Sequence, residues 1–279
     1  MNPSAALHVR PPAVAGMFYP SRAATLKADV QDLLAQAAPP ALQGTIVGLI
    51  APHAGYVYSG AVAAYAYRLL AATPVDAVIL IGPSHREYFE GVSVFPGDAY
   101  RTPLGDMPID DGLRRRLVAA GVARTLDGHR TEHALEVQLP FLQVARGTCP
   151  IVPLVMGSQR REDCTALGAA IASTVGTQRV AIVASSDLSH YHPYDEAVTL
   201  DHRVVDLVET FDIDELLRRI DEDTVEACGA GPIAAAMIAS KQLGANRARV
   251  LQYCNSGDVT GDRGAVVGYL SAAFVRENG

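Results

Sequence analysis

The stretch VDAVILIGPSH, residues 75–85, shows what kind of fold this chain adopts. Residues 75–82 form an apolar run rich in β-branched side chains, which is typical of a strand buried on both faces. A proline follows the run, and His85 comes two residues later. The run TIVGLIA (45–51) leads in the same way into a proline and then His53. Repeated apolar runs of this length predict the strands of a largely parallel sheet.

Helical segments alternate with these runs. Residues 22–37, for example, carry apolar side chains at a spacing of three and four residues. Since alternation of strands and helices covers both faces of a sheet, it predicts a single three-layer α/β/α domain over 1–279, with a mixed, largely parallel central sheet. The further predicted helices cover 60–71, 110–120, 131–145, 162–175, 194–221 (two helices) and 229–243, and the further strands cover 92–95, 151–157, 179–186, 249–255 and 265–275.

Two of these strand predictions carry a qualification. Pro153 lies within 151–157 and predicts an edge position or an irregularity there. The last two strands, joined by the turn SGDVTGDRG, and the strand at 92–95 predict some antiparallel pairing. An exposed edge at that last hairpin would permit a dimer.

Composition excludes several classes of protein. Hydrophobic residues make up 49% and charged residues 19%, which excludes a disordered chain, and no apolar stretch is long enough to span a membrane. A net charge of −7 argues against binding to nucleic acid or to anionic membranes. Four cysteines without a CxxC pair and an N-terminus without a signal peptide predict a cytoplasmic protein with reduced thiols.

A third strand, RVAIVASS (179–186), leads into Asp187 and His190. Three strands therefore deliver histidines just beyond their C-terminal ends, where open α/β sheets build their sites; the other two are His53 and His85. Imidazole is the commonest neutral metal ligand and also a common acid/base group. The sequence indicates either a shared metal or acid/base site, or separate loop histidines that form ordinary hydrogen bonds.

Cys228 precedes the helix predicted over 229–243 and is followed by glycines. A thiol at a helix N-terminus has a lowered pKa and can act as a nucleophile or metal ligand. The alternative is a small apolar residue packed against the sheet. Cys149 and Cys164 lack this context, and Cys254 stays undecided.

The segment EHALE (132–136) places Glu132 and Glu136 on one helix face, with His133 beside them. A glutamate next to a histidine can orient a metal ligand or accept a proton. An acidic first turn that complements the helix dipole explains the pattern equally well.

Taken in order, seven short motifs resemble the Memo family, and more closely its microbial members named AmmeMemoRadiSam system protein B. The resemblance runs from about residue 10 to the C-terminus. The motifs are AGMFYP (15–20), PHAGY (52–56), GPSH (82–85), YRTPLG (100–105), EHALE (132–136), SSDLSH (185–190) and CG (228–229).

The resemblance implies the fold of the class III extradiol ring-cleaving dioxygenases. It implies metal ligands at His53, His85 and Cys228, with a nearby acid and histidine at Asp187 and His190, and it implies iron or copper as the metal. Imidazole and thiolate ligands by themselves leave iron, copper and zinc open. Those dioxygenases use two histidines and a carboxylate, so ring cleavage does not follow from the fold.

Two functional hypotheses follow. In the first, the chain is a metal-dependent oxidoreductase in which His190 is the general acid/base, Asp187 orients His190 or a bound water, and His133 is a second proton-transfer group. In the second, it is a non-catalytic module that holds a peptide or handles a metal ion. A hydrolytic zinc site is a third option.

The expected partners are a small-molecule or peptide ligand and, from the family name, radical-SAM and AMMECR-type proteins. Loops at 86–106 and 191–200 are expected to shape the pocket.

Overall fold

The computed structural model describes residues 8–277. The helices are α1 (Ala23–Gln36), α2 (Tyr56–Ala71), α3 (Asp111–Ala119), α4 (Gln138–Arg146), α5 (Arg161–Val175), α6 (Tyr194–Glu209), α7 (Ile213–Asp221), α8 (Ala230–Gln242) and α9 (Ser256–Thr260). The strands are β1 (Val9–Arg10), β2 (Thr45–Ala51), β3 (Ala77–Pro83), β4 (Val92–Val94), β5 (Ala99–Thr102), β6 (Gly105–Pro108), β7 (Ala123–Arg124), β8 (Ile151–Met156), β9 (Val180–Ser185), β10 (Asp187–His192), β11 (Arg247–Asn255) and β12 (Val266–Arg276).

The main sheet has the strand order β10-β12-β2-β9-β3-β8-β4-β7, and β11 pairs with β12. Its centre, β2-β9-β3-β8, is parallel, whereas β12 is antiparallel to all of its neighbours and β4 is antiparallel to β8. A small second sheet has the order β1-β5-β6. The predicted mixed sheet, with antiparallel pairing at the last hairpin and at the strand near 92–95, is confirmed.

Helices cover both faces of the main sheet. Alternate side chains of β3 show this clearly: Ile79 and Ile81 pack in a core with α3, α5, α6, α7 and α8, and Val78 and Leu80 pack in a second core with α1, α2 and α4. Every residue of β3 is buried, as expected for a strand covered on both faces. The three-layer α/β/α architecture is therefore confirmed.

Within residues 8–277, no helix combines the length and the apolar character needed to cross a membrane.

Pro153 is tolerated in an interior strand, so the predicted edge position is wrong. β8 lies between β3 and β4, and its pairing with β4 covers Leu154 to Met156 only. The Pro153 carbonyl accepts a hydrogen bond from the Phe95 N–H, which shows that this residue faces the β4 side. Its missing N–H therefore falls where the short β4 ladder has already ended.

The segment 131–137 also differs from the prediction. The helix predicted over 131–145 begins only at Gln138, as α4, and the residues before it form bends and turns. Glu132 and Glu136 are buried and accept hydrogen bonds from other segments, so they do not form the exposed acidic face of a first helical turn.

Sequence patterns also missed β1, β5, β6, β7, β10 and α9. α9 occupies the predicted turn between the last two strands, and β5 and β6 form a hairpin that begins within 86–106, which was expected as a loop. β10 follows β9 after a single residue, in a segment for which no strand was predicted.

Candidate functional site

Three neighbouring parallel strands bring the candidate side chains together. His53, His85 and Asp187 each lie two residues beyond the end of their strand, β2, β3 and β9 respectively, and β9 lies between the other two. Because parallel strands end at the same edge of a sheet, the three segments meet there. The ring centres of His53 and His85 are 5.1 Å apart. The predicted convergence at one sheet edge is thus observed.

Cys228 reaches the same place from the N-terminal side of α8. Its Sγ lies 3.2 Å from Nε2 of His53 and 3.3 Å from the backbone nitrogen of Asp187. The next residue must be glycine, because a Cβ at Gly229 would lie 2.6 Å from the Ser185 carbonyl oxygen. Gly229 therefore permits the close approach that places the thiol against the end of β9.

A serine fixes the orientation of the His53 ring. Nδ1 of His53 is 2.8 Å from Oγ of Ser185, and that hydroxyl also contacts Nε2 of Gln138 at 2.8 Å and the carbonyl oxygen of Ala134 at 2.7 Å. A hydroxyl donates one hydrogen bond, which here goes to the Ala134 carbonyl, so it accepts from His53. Nδ1 of His53 thus carries the proton, and the lone pair of Nε2 faces Cys228.

A carboxylate orients His85 in the same sense. Oε1 of Glu132 is 2.9 Å from Nδ1 of His85, and Oε2 accepts the His85 backbone N–H at 2.6 Å. Because an ionised carboxylate only accepts hydrogen bonds, Nδ1 of His85 carries the proton and Nε2 is left free. Both histidines therefore offer Nε2 as a ligand atom.

Glu132 has little capacity left to bind a metal itself. It also accepts the backbone N–H groups of His133 and Ala134, at 2.8 and 2.9 Å. Burial acts to raise the pKa of Glu132, but the hydrogen bonds from His133 and His85 outweigh it and hold that pKa well below its usual range. Of the two groups of possible ligands, His53–His85–Cys228 and His85–Glu132–His133, the first is therefore the better candidate.

A buried ion pair holds the segment that carries Glu132. Arg10 donates to Oε2 of Glu136 at 2.6 Å, to the Glu132 carbonyl at 2.5 Å and to the His129 carbonyl at 2.6 Å. Both charged side chains are almost fully buried. The Tyr19 hydroxyl donates to Glu136 at 2.6 Å, which completes the anchoring of the N-terminal segment.

The three predicted acid/base residues line the same cavity. Asp187 is buried and accepts the His53 backbone N–H at 2.7 Å, and its burial raises its pKa to about 7 although the backbone N–H groups of His53 and Ala54 oppose this. Burial lowers the pKa of His190, which favours the neutral imidazole. The His133 ring centre lies 4.6 Å from that of His85. Within residues 8–277, no hydrogen bond joins the side chains of Asp187 and His190.

The expected lowering of the Cys228 pKa is wrong for the metal-free protein. Burial raises the pKa of the thiol, and the nearby Asp187 carboxylate raises it further. Its position directly before α8 therefore does not lower the pKa of this thiol below its usual value. Cys254 lies in β11, and burial raises its pKa to about 11.

The cavity over these residues has a volume of about 660 Å³. One wall comes from the N-terminal segment and α2, and the opposite wall comes from β10 and the connection between β11 and β12. Of the two segments expected to shape it as loops, 191–200 forms the end of β10 and the start of α6 instead, and it contributes Tyr191. The segment 86–106 contributes none of the lining side chains. Besides the histidines and Asp187, the lining side chains that matter below are Phe18, Tyr58, Tyr191, Tyr269 and Asp262.

Comparison with known proteins identifies the family. The model of the family described as Memo-like protein matches residues 10–273. A MEMO1 family protein of Methanosarcina barkeri is 40% identical over 266 residues, which cover 94% of this chain and 98% of that protein. The chain belongs to the Memo family. A MEMO1 family protein of Methanothermobacter thermautotrophicus is 39% identical over 94% of this chain and 98% of its own length.

The fold extends beyond close relatives of this Memo-family chain. The crystal structure of an uncharacterized protein from Escherichia coli K12 superposes with a TM-score of 0.55 at 15% identity, covering 82% of this chain and 99% of that one. Identity this low supports a shared fold only.

Sequence reasoning missed two parts of the site. Ser185 lies in the motif SSDLSH, but it was given no role, because a serine at the end of a strand has many uses. The wall from the β11–β12 connection was treated as a simple turn, although its Gly/Asp-rich composition and its position at the end of a long hairpin were visible.

Proposed function

We propose that this protein holds a redox-active metal, iron or copper, with His53, His85 and Cys228 and acts as an oxidoreductase on a substrate bound in the 660 Å³ cavity. One observation carries the proposal. The ligand atoms of these three residues lie within 4.8 Å of one another. In both histidines the second ring nitrogen is already hydrogen-bonded, which leaves Nε2 free for a metal.

The residues fit such a metal by their chemistry. Two neutral imidazoles and a thiolate suit iron, copper or zinc, and the ordered partners Ser185 and Glu132 are the outer-shell groups that metal-bound histidines normally have. An iron or copper ion held by His53, His85 and Cys228 would supply electron transfer. The thiolate takes the place of the carboxylate used by ring-cleaving dioxygenases, so the proposal does not include ring cleavage.

The chain's own residues supply the proton chemistry. His190 lines the cavity and is neutral because burial lowers its pKa, so it can take a proton from a bound substrate. Asp187 holds the backbone of His53 and faces the cavity, where it can orient a water or a substrate hydroxyl. His133 lies against His85 and offers a second group for proton transfer.

We also propose a cytoplasmic location and association with radical-SAM and AMMECR-type proteins. Family membership supports the partners, and the four free cysteines support a reducing compartment. Co-purification of the full-length chain with those two kinds of protein from its own cells tests the association.

The decisive experiment is metal analysis after anaerobic purification from cells supplied with iron, copper and zinc. Wild type is compared with Cys228→Ala and His53→Ala, and with Cys254→Ala as a matched cysteine control outside the site. We expect stoichiometric iron or copper that only the two site variants lose. Stoichiometric zinc would favour hydrolysis instead, and folded protein that binds no metal even on reconstitution would refute the ligand assignment.

A second comparison separates catalysis from simple binding. His190→Ala should keep the metal and lose metal-dependent oxygen consumption in a substrate screen. If His190→Ala retains full activity, or if the metal-loaded protein turns over no substrate while it binds peptides, the non-catalytic module is the better description.

A further inference from the structure

Tyr191 has an unusual backbone conformation. Its φ is 64°, and within residues 8–277 only two other non-glycine residues, Phe211 and Asp223, have positive φ. Those two follow α6 and α7 by two residues, where a left-handed residue commonly ends a helix. Tyr191 lies inside strand β10, where helix termination does not explain it, and the left-handed conformation is unfavourable for a bulky side chain.

Tyr191 is the extra residue of a β-bulge. In the ladder between β10 and β12, His190 pairs with Val267 and His192 pairs with Val266, so Tyr191 has no partner in β12. Consecutive side chains of a regular strand point to opposite faces of the sheet. His190 and Tyr191 nevertheless both line the cavity. The bulge therefore redirects the Tyr191 ring into the cavity beside His190, as bulges near active sites often do.

A buried side chain of α6 holds the part of β10 next to this bulge. The buried carboxylate of Asp201 in α6 accepts the backbone N–H of Ser189 at 2.9 Å and the Tyr253 hydroxyl at 2.8 Å. The same carboxylate sits against Gly268 of β12, where a Cβ would lie 2.0 Å from Oδ2. The surrounding residues thus fix the strained backbone conformation of Tyr191.

The Tyr191 ring has little packing that would offset this strain. The residue is 77% exposed, and its ring makes an edge contact with the His190 ring, at 5.8 Å between ring centres. The Tyr191 ring thus lies at the cavity and packs little against other side chains.

We propose that Tyr191 is a ligand-binding residue whose ring stacks on a flat, aromatic or conjugated substrate without negative charge. Three further aromatic side chains, Phe18, Tyr58 and Tyr269, line the cavity. Among the described residues, no lysine or arginine lines it, whereas Asp187 and Asp262 do. Such a lining favours neutral or cationic aromatic ligands and disfavours anions. This inference rests on the proposed function only in taking the cavity as the substrate site.

The test uses 2-naphthol and its anionic counterpart 2-naphthoate as probes, with binding measured by fluorescence and NMR on the full chain in the presence of a chelator, so that neither probe can bind a metal ion. Tyr191→Gly removes the ring and relieves the backbone, and Tyr191→Phe keeps the ring. Asp223→Gly is the matched control, because it relieves the same kind of backbone conformation outside this cavity.

We expect Tyr191→Gly to bind 2-naphthol about fivefold more weakly than wild type, and Tyr191→Phe and Asp223→Gly to bind it like wild type. Neither glycine variant should unfold at a lower temperature than wild type. We expect 2-naphthoate to bind wild type about tenfold more weakly than 2-naphthol.

The inference is overturned if wild type does not bind 2-naphthol, if Tyr191→Gly binds it as tightly as wild type, or if 2-naphthoate binds equally well. These outcomes are independent of the metal analysis, since the probes require neither a redox metal nor turnover. Probe binding without metal would leave the stacking role intact and refute the oxidoreductase, and metal without probe binding would do the reverse.

Discussion

His53 and His85 offer the same ring nitrogen to the candidate metal centre but are held in different ways. His53 is 1% exposed, and its Nδ1 is held by the neutral hydroxyl of Ser185 inside the sheet edge. The His85 side chain is 27% exposed, and its Nδ1 is held by the charged Glu132 on an irregular segment. One candidate ligand, His53, is therefore part of the protein core, and the other, His85, depends on a charged residue in a segment that Arg10 holds in place.

This difference predicts unequal effects of removing the two ligands. His53→Ala and His85→Ala should each weaken metal binding by more than about 100-fold, because losing a ligand costs more than losing an outer-shell partner. In the metal-free protein, His53→Ala should lower the free energy of unfolding by about 2 kcal/mol, because it opens a cavity and removes a hydrogen bond of the buried Ser185 hydroxyl. His85→Ala should lower it by a different amount, because it leaves a more exposed site but removes a hydrogen-bond donor from the buried Glu132 carboxylate. Chelator competition and urea unfolding in a chelator measure the two effects, and equal destabilisation would remove the distinction.

The next test concerns the buried Arg10–Glu136 ion pair, which holds the segment that carries Glu132, the hydrogen-bond partner of His85. Arg10→Met leaves the buried Glu136 carboxylate without its ion-pair partner and should lower the free energy of unfolding by about 3–5 kcal/mol. Arg101→Ala is the control, since it breaks an exposed pair with Asp106 and should lower the stability far less than Arg10→Met does. Urea unfolding measures both. Similar losses of stability in the two variants would show that the buried Arg10–Glu136 ion pair contributes no more than an exposed one.

The parts of this structure that sequence patterns predicted are those with one dominant local cause. Strands such as 75–82 are apolar because both faces are buried, and the histidines that follow them meet because parallel strands end at one edge. The position of Cys228 before a predicted helix already made it a candidate, but only the family resemblance placed it with His53 and His85, since no spacing rule connects it to a histidine 175 residues away in the chain. The ligand roles themselves stay a prediction.

The parts that were missed depend on contacts between distant segments. Residues 131–137 show helical spacing but form turns, since Glu132 and Glu136 bind groups from other parts of the chain. β10 gives no alternating pattern because its bulges interrupt the ladder. Tertiary contacts override local propensity in both cases.

The two outer-shell partners can be compared directly. Glu132→Gln places an amide N–H₂ group where hydrogen-bond donors already converge on both carboxylate oxygens, so it should weaken metal binding by about 10- to 100-fold. Ser185→Ala removes a neutral acceptor and should weaken it by no more than about tenfold. Competition with a chelator, using cobalt as the probe metal, ranks the two variants. A larger effect at Ser185 would contradict the view that the His85 side depends on charge.

Low pH should destabilise the segment near His85 through His129, which is not one of the three candidate metal ligands. Burial lowers the pKa of His129 to about 3, and its backbone carbonyl accepts a hydrogen bond from Arg10. Below the ordinary histidine pKa of 6.5, the unfolded chain binds a proton at this residue and the folded chain does not. The free energy of unfolding therefore falls as the pH falls from about 6.5 towards 3, by about 2 kcal/mol at pH 5.

His129→Asn removes this titration and keeps an acceptor for the hydrogen bond with the Tyr100 hydroxyl, which lies 2.6 Å from Nδ1 of His129. We expect the variant to be less stable than wild type at pH 7, because the smaller side chain leaves a cavity, but to lose about 2 kcal/mol less between pH 7 and pH 5. Urea unfolding at a series of pH values in the presence of a chelator gives both slopes. If the free energy of unfolding of the two proteins falls in parallel with pH, the acid sensitivity does not arise at His129. His53 is then the next residue to test, because burial lowers its pKa as well.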